Sequence, residues 1–331
     1  MPADPRFPAY QACAFASPSD HRYRRHRRVK RGLHCHRAMT QTPAQASGGE
    51  ATIHGKTVVM TGATSGVGEV AAVRLARMGA RLVLIARDRA RAERTLAKLD
   101  AAASGAAHTV HLADLSRLAE VRRVAAEVAA AATRIDVLVN NAGAMFSRRA
   151  VTEDGLERTF ALNHMAYFVL TTGLIERLNA PGRIINTASN AHRRGKLDFA
   201  DLQSARSYRA TAVYGTSKLC NILFTRELAR RLSAQGVTVN SFSPGFVATR
   251  FGDDAGGLPA RLVRIAKLFA GTPEQGAETL VWLATSPEVA AVTGGFFFRG
   301  RRGTLTADAQ DDALAQRLWA ESERIAGDAR R

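Results

Sequence analysis

Cysteine is scarce: Cys13, Cys35 and Cys220 are the only three in 331 residues, and none stands at a metal-ligand or redox spacing from another. A disulfide scaffold is therefore excluded, and each thiol reads as inert. Long apolar runs are missing too, since none approaches the roughly 18 residues that a membrane-spanning helix requires. The nearest, Phe160 to Ile175, is interrupted by Asn163 and His164 and reads as a buried helix. The start of the chain has no apolar core of a secretory signal, so the expected location is the cytoplasm. Lysine is rare as well, 6 against 41 arginines, the habit of a GC-rich genome.

Acidic residues are the remaining shortage. Asp and Glu number 29 against 47 Lys and Arg, for a formal net charge of +18. Nine basic residues (Arg6, Arg22, Arg24, Arg25, Arg27, Arg28, Lys30, Arg31 and Arg37) fall in the first 50 positions, against only Asp4, Asp20 and Glu50. The run from His21 to Arg31 has the charge to bind nucleic acid. It has no periodic apolar face, so residues 1–50 read as a basic, disordered extension, and no nucleic-acid partner is expected. His34-Cys35-His36 resembles a metal-ligand fragment without a second ligand pair, so no metal is expected. Met39 precedes the polar segment Thr40–Gly49 and is the expected true start of translation.

From Lys56 onward short apolar runs alternate with helical patterns. The runs are Lys56–Thr61, Arg81–Ala86, His108–Leu112, Ile135–Val139, Arg183–Thr187 and Val237–Phe242. Val67–Met78, Asp88–Ala103 and Ser116–Ala132 lie between them with helical spacing. Near-continuous apolar strands separated by helices predict an α/β fold, a single doubly wound parallel sheet with helices on both faces, over residues 51–327. Gly294–Phe298 is expected as the last edge strand and Asp308–Ile325 as the terminal helix.

Thr61-Gly62-Ala63-Thr64-Ser65-Gly66-Val67-Gly68 occupies the turn from the first strand into the first helix. Glycine there lets backbone approach a pyrophosphate, which the helix N-terminus attracts through its unpaired N–H groups. The spacing of Gly62, Gly66 and Gly68 resembles the short-chain dehydrogenase/reductase family, whose fingerprint is Thr-Gly-x-x-x-Gly-x-Gly. The resemblance continues through Asn140-Asn141-Ala142-Gly143, Tyr214-Gly215-Thr216-Ser217-Lys218 and Pro244-Gly245, covering most of residues 55–325. It implies a Rossmann domain binding NAD(P).

After the second strand stands Arg87, where an acidic side chain would accept the ribose 2′-hydroxyl and repel a 2′-phosphate. The guanidinium can instead clamp that phosphate, so NADP(H) is expected ahead of NAD(H); the alternative is a solvated helix-start arginine beside Asp88. Asp114, with Leu115, matches the family position that bonds the adenine amino group. Asn140, Ala142 and Gly143 are expected to line the same cleft, and Pro244, Gly245, Val247 and Thr249 to contact the nicotinamide carboxamide.

Tyr214 and Lys218 share one helix face a turn apart. A nearby ammonium stabilises a phenolate and draws the tyrosine pKa toward the working range. Ser189 matches the family serine that holds the substrate oxygen, with Thr187 as a competing hydroxyl off the family's strand-end position, and Asn163 matches the helix asparagine of the proton relay. The resemblance implies a tetrad of Asn163, Ser189, Tyr214 and Lys218. The reaction it implies interconverts a carbonyl and an alcohol on a small or lipophilic molecule. A catalytically idle dinucleotide-binding regulator is the alternative.

Ser189 and Tyr214 lie 25 residues apart, with Asn190–Leu202 inserted between them. Together with Ser217–Leu232, this insert resembles the retinol dehydrogenase-like and WW-domain-oxidoreductase-like branch, which implies lipophilic aldehydes, ketones or steroids as substrates. Ser243 precedes Pro244 where animal members of that branch commonly have histidine. The variable substrate lobe is expected at about 246–271, where the apolar residues fit a pocket wall and a core-facing stripe equally. Residues 153–180 and 212–235 match helices that often form homodimer faces in the family.

Overall fold

A computed structural model describes residues 53–103, 105–245 and 271–328. Seven strands follow the apolar runs: β1 (Thr57–Thr61), β2 (Arg81–Ala86), β3 (Thr109–Leu112), β4 (Ile135–Asn140), β5 (Leu178–Thr187), β6 (Val237–Ser243) and β7 (Phe296–Phe298). An eighth, β8 (Arg301–Arg302), completes one sheet in the order β3-β2-β1-β4-β5-β6-β7-β8. Every ladder is parallel except β7–β8. The central strands β1 and β4 are buried throughout, which is why they read as unbroken apolar runs rather than alternating ones.

The helices are α1 (Gly66–Arg77), α2 (Arg89–Ala102), α3 (Leu118–Ala131), α4 (Arg158–Phe160), α5 (Ala166–Leu174), α6 (Ala210–Arg231), α7 (Pro273–Thr285) and α8 (Asp312–Asp328). Helix α1 packs between α2 and α7, while α3 packs on α5. Leu75 of α1 and Leu280 of α7 meet Val58, Met60 and Val139 of the sheet in one apolar cluster. Each such fully buried side chain contributes on the order of 2 kcal/mol before its ordering entropy is counted. The chain order reverses between β1 and β4, and doubly wound sheets open their binding crevice at that switch point, beyond the carboxyl ends of the strands.

Four local differences from the sequence expectation have physical causes. The buried helix across 160–175 is interrupted by a π turn, Ala161–Met165, between α4 and α5. Gly294–Phe298 is not the sheet edge: Phe297 and Phe298 pair antiparallel with Arg302 and Arg301, a strand too short to show periodicity. β5 begins at Leu178, ahead of the apolar run. The terminal helix starts at Asp312 because the Asp311 carboxylate accepts the Leu314 amide as an N-cap, leaving Asp308–Gln310 as a separate 3₁₀ turn.

Helix α8 lies on α6. Trp319 stacks on Phe224 of α6, ring centroids 5.9 Å apart, and meets the edge of Phe168 of α5 at 4.9 Å. The chain's own last helix thus covers part of the face where a homodimer contact was expected. Among the described residues no helix is long and apolar enough to cross a membrane, and no group of three or more His, Cys, Asp or Glu could hold a metal. The basic extension, Met39, His34-Cys35-His36, Val247, Thr249 and the substrate lobe over 246–270 lie outside the described residues.

Candidate active site

The turn after β1 is shaped by close backbone contact. Gly62 and Gly66 adopt φ of +67° and +56°, the left-handed region that glycine enters without strain. A Cβ on Gly62 would meet the Ala142 amide nitrogen at 2.7 Å, and one on Gly68 would meet the Gly62 carbonyl at 2.1 Å. Thr61 ties this turn to the segment after β4: its hydroxyl accepts the Asn141 and Ala142 amides at 2.9 and 3.0 Å. The Asn141 side chain donates to the Gly62 carbonyl at 3.0 Å and accepts from the Thr187 hydroxyl at 3.0 Å. Asn141 therefore clamps the ends of β1, β4 and β5 together. Ser65 begins α1 without a side-chain cap bond, so no side chain competes for its first-turn amides.

Asn140, expected to line the cleft, does not: it is 0% exposed. Its amide donates to Thr171 and Asn186 at 2.9 Å each, inside the layer of α5. The strand alternates faces, so the neighbouring Asn141 occupies the cleft side instead.

Asn163 sits on the π turn, a wider helical turn that recurs at functional sites. Its side-chain oxygen accepts the Ala144 amide, and its nitrogen donates to the Ala144 carbonyl and the Ser217 hydroxyl, all at 2.9 Å. The segment after β4 is thereby held against α6. A Cβ on Gly143 would lie 3.1 Å from the Asn163 amide oxygen and 3.4 Å from the Lys218 Nζ, so the three residues form one wall.

Ser189 follows β5 and accepts the Ala191 amide at 3.1 Å, starting the 3₁₀ segment Asn190–Arg194. His192 in that segment is buried and donates from Nδ1 to the Ser189 carbonyl at 2.8 Å. Tyr214 is half-buried on α6, with its phenol hydrogen-bonded to Ser189. Lys218, 1% exposed, donates from Nζ to the Thr187 carbonyl at 2.9 Å. That nitrogen lies between two aromatic rings, 5.6 Å from the centroid of Tyr214 and 5.8 Å from that of Tyr167.

The structure revises the expected electrostatics. Burial pushes the Tyr214 phenol above its usual range, although the Ser189 hydrogen bond opposes this. Burial also pushes Lys218 down to about 7. A single carbonyl replaces the water that a free ammonium would hold, so desolvation outweighs attraction between the two groups. Tyr167 is fully buried, and burial, with the neighbouring Tyr214, pushes its phenol well above the usual range against the opposing effect of the Thr187 hydroxyl.

Asp114 lies after β3, where it accepts the Ser116 amide at 3.0 Å and hydroxyl at 2.8 Å. Burial raises its carboxyl, but those bonds and the charges of Arg87 and Arg158 more than offset it, leaving the pKa low. Arg87 is exposed and forms no ion pair among the described residues, while Asp88 is engaged as the N-cap of α2.

A profile of the family described as short chain dehydrogenase matches residues 56–256. Retinol dehydrogenase 14 of Mus musculus is 41% identical over 298 residues, covering 86% of this chain and 89% of its own. A Streptomyces protein provisionally named daunorubicin C-13 ketoreductase is 41% identical, covering 84% of this chain and 94% of its own. The chain belongs to the short-chain dehydrogenases. It is similar in structure to a Burkholderia cenocepacia short chain dehydrogenase solved in complex with NADP, with a TM-score of 0.59, 28% identity and coverage of 74% and 96%.

The fold of this short-chain dehydrogenase binds NAD(P), and its family interconverts CH–OH groups and carbonyls. The cradle fits such a cofactor: added Cβ atoms would fill the turn at Gly62 and Gly68. Thr64 and Ser65 are half-buried and exposed at that turn, while Val67 and Leu115 are buried, leaving chiefly backbone for contact. Gly245, at φ +86°, follows Pro244 beyond β6, and its Cβ position is 3.4 Å from the Phe298 ring. The four candidate catalytic residues converge around Lys218, with Arg87 and Asp114 two strands and more away, beyond β2 and β3. Sequence reasoning missed Tyr167, four positions after Asn163, and the roles of two residues it had in view: Asn141, which lies within the Asn140–Gly143 motif, and Thr187, weighed only as a hydroxyl competing with Ser189.

Proposed function

We propose that this short-chain dehydrogenase interconverts a lipophilic carbonyl and its alcohol with NADP(H), using Asn163, Ser189, Tyr214 and Lys218. One observation carries this reading: the Tyr214 phenol bonds to Ser189 directly above a buried lysine nitrogen 5.6 Å from its ring. Bound NADPH supplies the hydride. The Ser189 hydroxyl orients the carbonyl oxygen, and the Tyr214 phenol donates its proton to that oxygen as charge develops on it. A phenol held protonated by burial suits the reducing direction. Lys218, once charged, stabilises the phenolate that remains, and Asn163 keeps the Ala144 segment and Ser217 in register beneath it.

The NADP(H) preference rests on Arg87, exposed and without an ion pair among the described residues at the end of β2, where a 2′-phosphate would be met. Asp114, Ala142, Gly143, Pro244 and Gly245 would complete the cofactor contacts. The names of the relatives, a retinol dehydrogenase and a ketoreductase, support the lipophilic substrate class. The test is NADPH oxidation, with NADH in parallel, over aliphatic, aromatic, steroid and quinone carbonyls. Turnover with NADPH well above NADH is expected, and equal use of both would overturn the cofactor assignment.

A further inference from the structure

The hairpin that closes the sheet concentrates arginine beside the candidate active site. A cavity of about 740 Å³ is lined by Asn190, Arg193, Phe298, Arg299, Arg301 and Arg302 among its walls. All four arginines are exposed, and no Asp or Glu of the described residues forms an ion pair with any of them. Positive charge left without a counter-ion across one concave surface raises the local concentration of anions.

Two of the cavity's walls adjoin the site. Asn190 directly follows Ser189, and its amide donates to the Ser243 hydroxyl at 3.2 Å. Phe298 lies against Gly245, the glycine expected at the nicotinamide. Arg193 stands four residues beyond Ser189 on a 3₁₀ segment, a separation of roughly 8 Å at about 2 Å per residue.

The hairpin backbone adds an independent observation. Arg299 and Gly300 form its two-residue turn with φ of +52° and +69°. Such turns favour Asn-Gly, and a long side chain in the left-handed region costs roughly 1 kcal/mol. The turn is also fixed to α7, because the Gly300 amide donates to the Thr279 hydroxyl at 3.0 Å. A cation is held at a strained position, on a rigid turn, where asparagine would be at ease.

The geometry points to a substrate with two ends: a carbonyl or alcohol at Ser189 and Tyr214, and an anionic group, carboxylate or phosphate, held by Arg193, Arg299, Arg301 and Arg302. This deepens the proposed carbonyl–alcohol reaction and rests on it. The lipophilic stem would lie between, along Phe298.

The test compares medium-chain aldehydes of one length ending in a carboxylate, a phosphate monoester or a neutral methyl ester. It uses the full-length protein and the double variant Arg301→Gln/Arg302→Gln, with melting temperature as the folding check. The wild type is expected to favour the charged aldehydes by about tenfold or more in kcat/KM, less so at high salt. In the double variant the advantage should vanish through KM, with kcat on the ester unchanged. The carboxylate and phosphate arms report which anion fits better. Equal use of charged and neutral aldehydes, or an advantage that survives in the variant, overturns the anionic end. If no aldehyde of any kind is reduced, the carbonyl reading itself fails. Calorimetric titration with octanoate then decides the cavity alone: binding lost in the variant upholds the anion site, and no binding to the wild type removes it.

Discussion

Gly215 joins the two halves of the candidate catalytic site, so a single methyl group there tests how the site is assembled. A Cβ on Gly215 would meet the Ala191 carbonyl at 2.8 Å and the Gly195 amide nitrogen at 3.2 Å. Conversely, a Cβ on Gly195 would meet the Gly215 carbonyl at 2.5 Å. Helix α6 therefore touches the segment after Ser189 backbone to backbone, one residue from Tyr214. Ordinary contact begins near 3.4 Å, so Gly215→Ala must push the Ala191 carbonyl back by about 0.6 Å. Ala191 is also the residue whose amide bonds to the Ser189 hydroxyl. Misplacement of a reacting group by about 1 Å costs about a hundredfold in rate, so a drop in kcat of roughly tenfold or more is expected. Helix propensity favours alanine by about 1 kcal/mol, while overpacking against backbone costs about 1–3 kcal/mol. Net destabilisation should thus stay within about 2 kcal/mol. The assay is steady-state reduction of a carbonyl at saturating NADPH, with NADPH affinity and thermal melting alongside. Gly327→Ala is the control, because a Cβ there meets nothing within 4 Å. A Gly215→Ala enzyme with wild-type kcat would refute the contact as a positioning device.

Other outcomes follow from the same geometry. Arg87→Ala should raise the KM for NADPH by roughly ten- to hundredfold and leave NADH nearly unchanged; parallel loss of both contradicts the phosphate assignment. Lys218 is held down to about 7 against an ordinary value of 10.5, so above pH 7 the unfolded chain binds the extra proton. Its penalty on stability is then full below about 7 and fades as pH rises toward 10.5. Denaturant unfolding should accordingly show Lys218→Met stabilising most at acidic pH and progressively less toward alkaline pH; a difference independent of pH sinks that reading. Asn141→Ala removes the clamp between β1 and β5 and should destabilise the protein by about 1–3 kcal/mol, measured by chemical denaturation.

The sheet and the glycine turn were legible because buried parallel strands are continuous apolar runs and a tight turn into a helix demands glycine. Tyr214 and Lys218 were legible through the family resemblance that the glycine turn opens, their spacing of four only placing them on one helix face. The π turn at Asn163 left no trace, since one extra residue in a helix buried on nearly every side does not disturb its pattern. The contact between Gly195 and Gly215 joins positions 20 apart that no periodicity connects. The choice between Asn140 and Asn141 depends on which face the last strand residue presents, which neighbouring identical residues conceal. The titration of Tyr214 and Lys218 was misjudged because charge proximity can be inferred from spacing, whereas depth of burial cannot.

The most direct test of the account is turnover of the wild type and Tyr214→Phe on one reactive carbonyl, followed by loss of reduced-nicotinamide absorbance, with NADPH affinity measured on both. The account predicts a fall in kcat of about a hundredfold or more, with NADPH affinity within a few fold of wild type. A phenylalanine enzyme that reduces the carbonyl at the wild-type rate would contradict it.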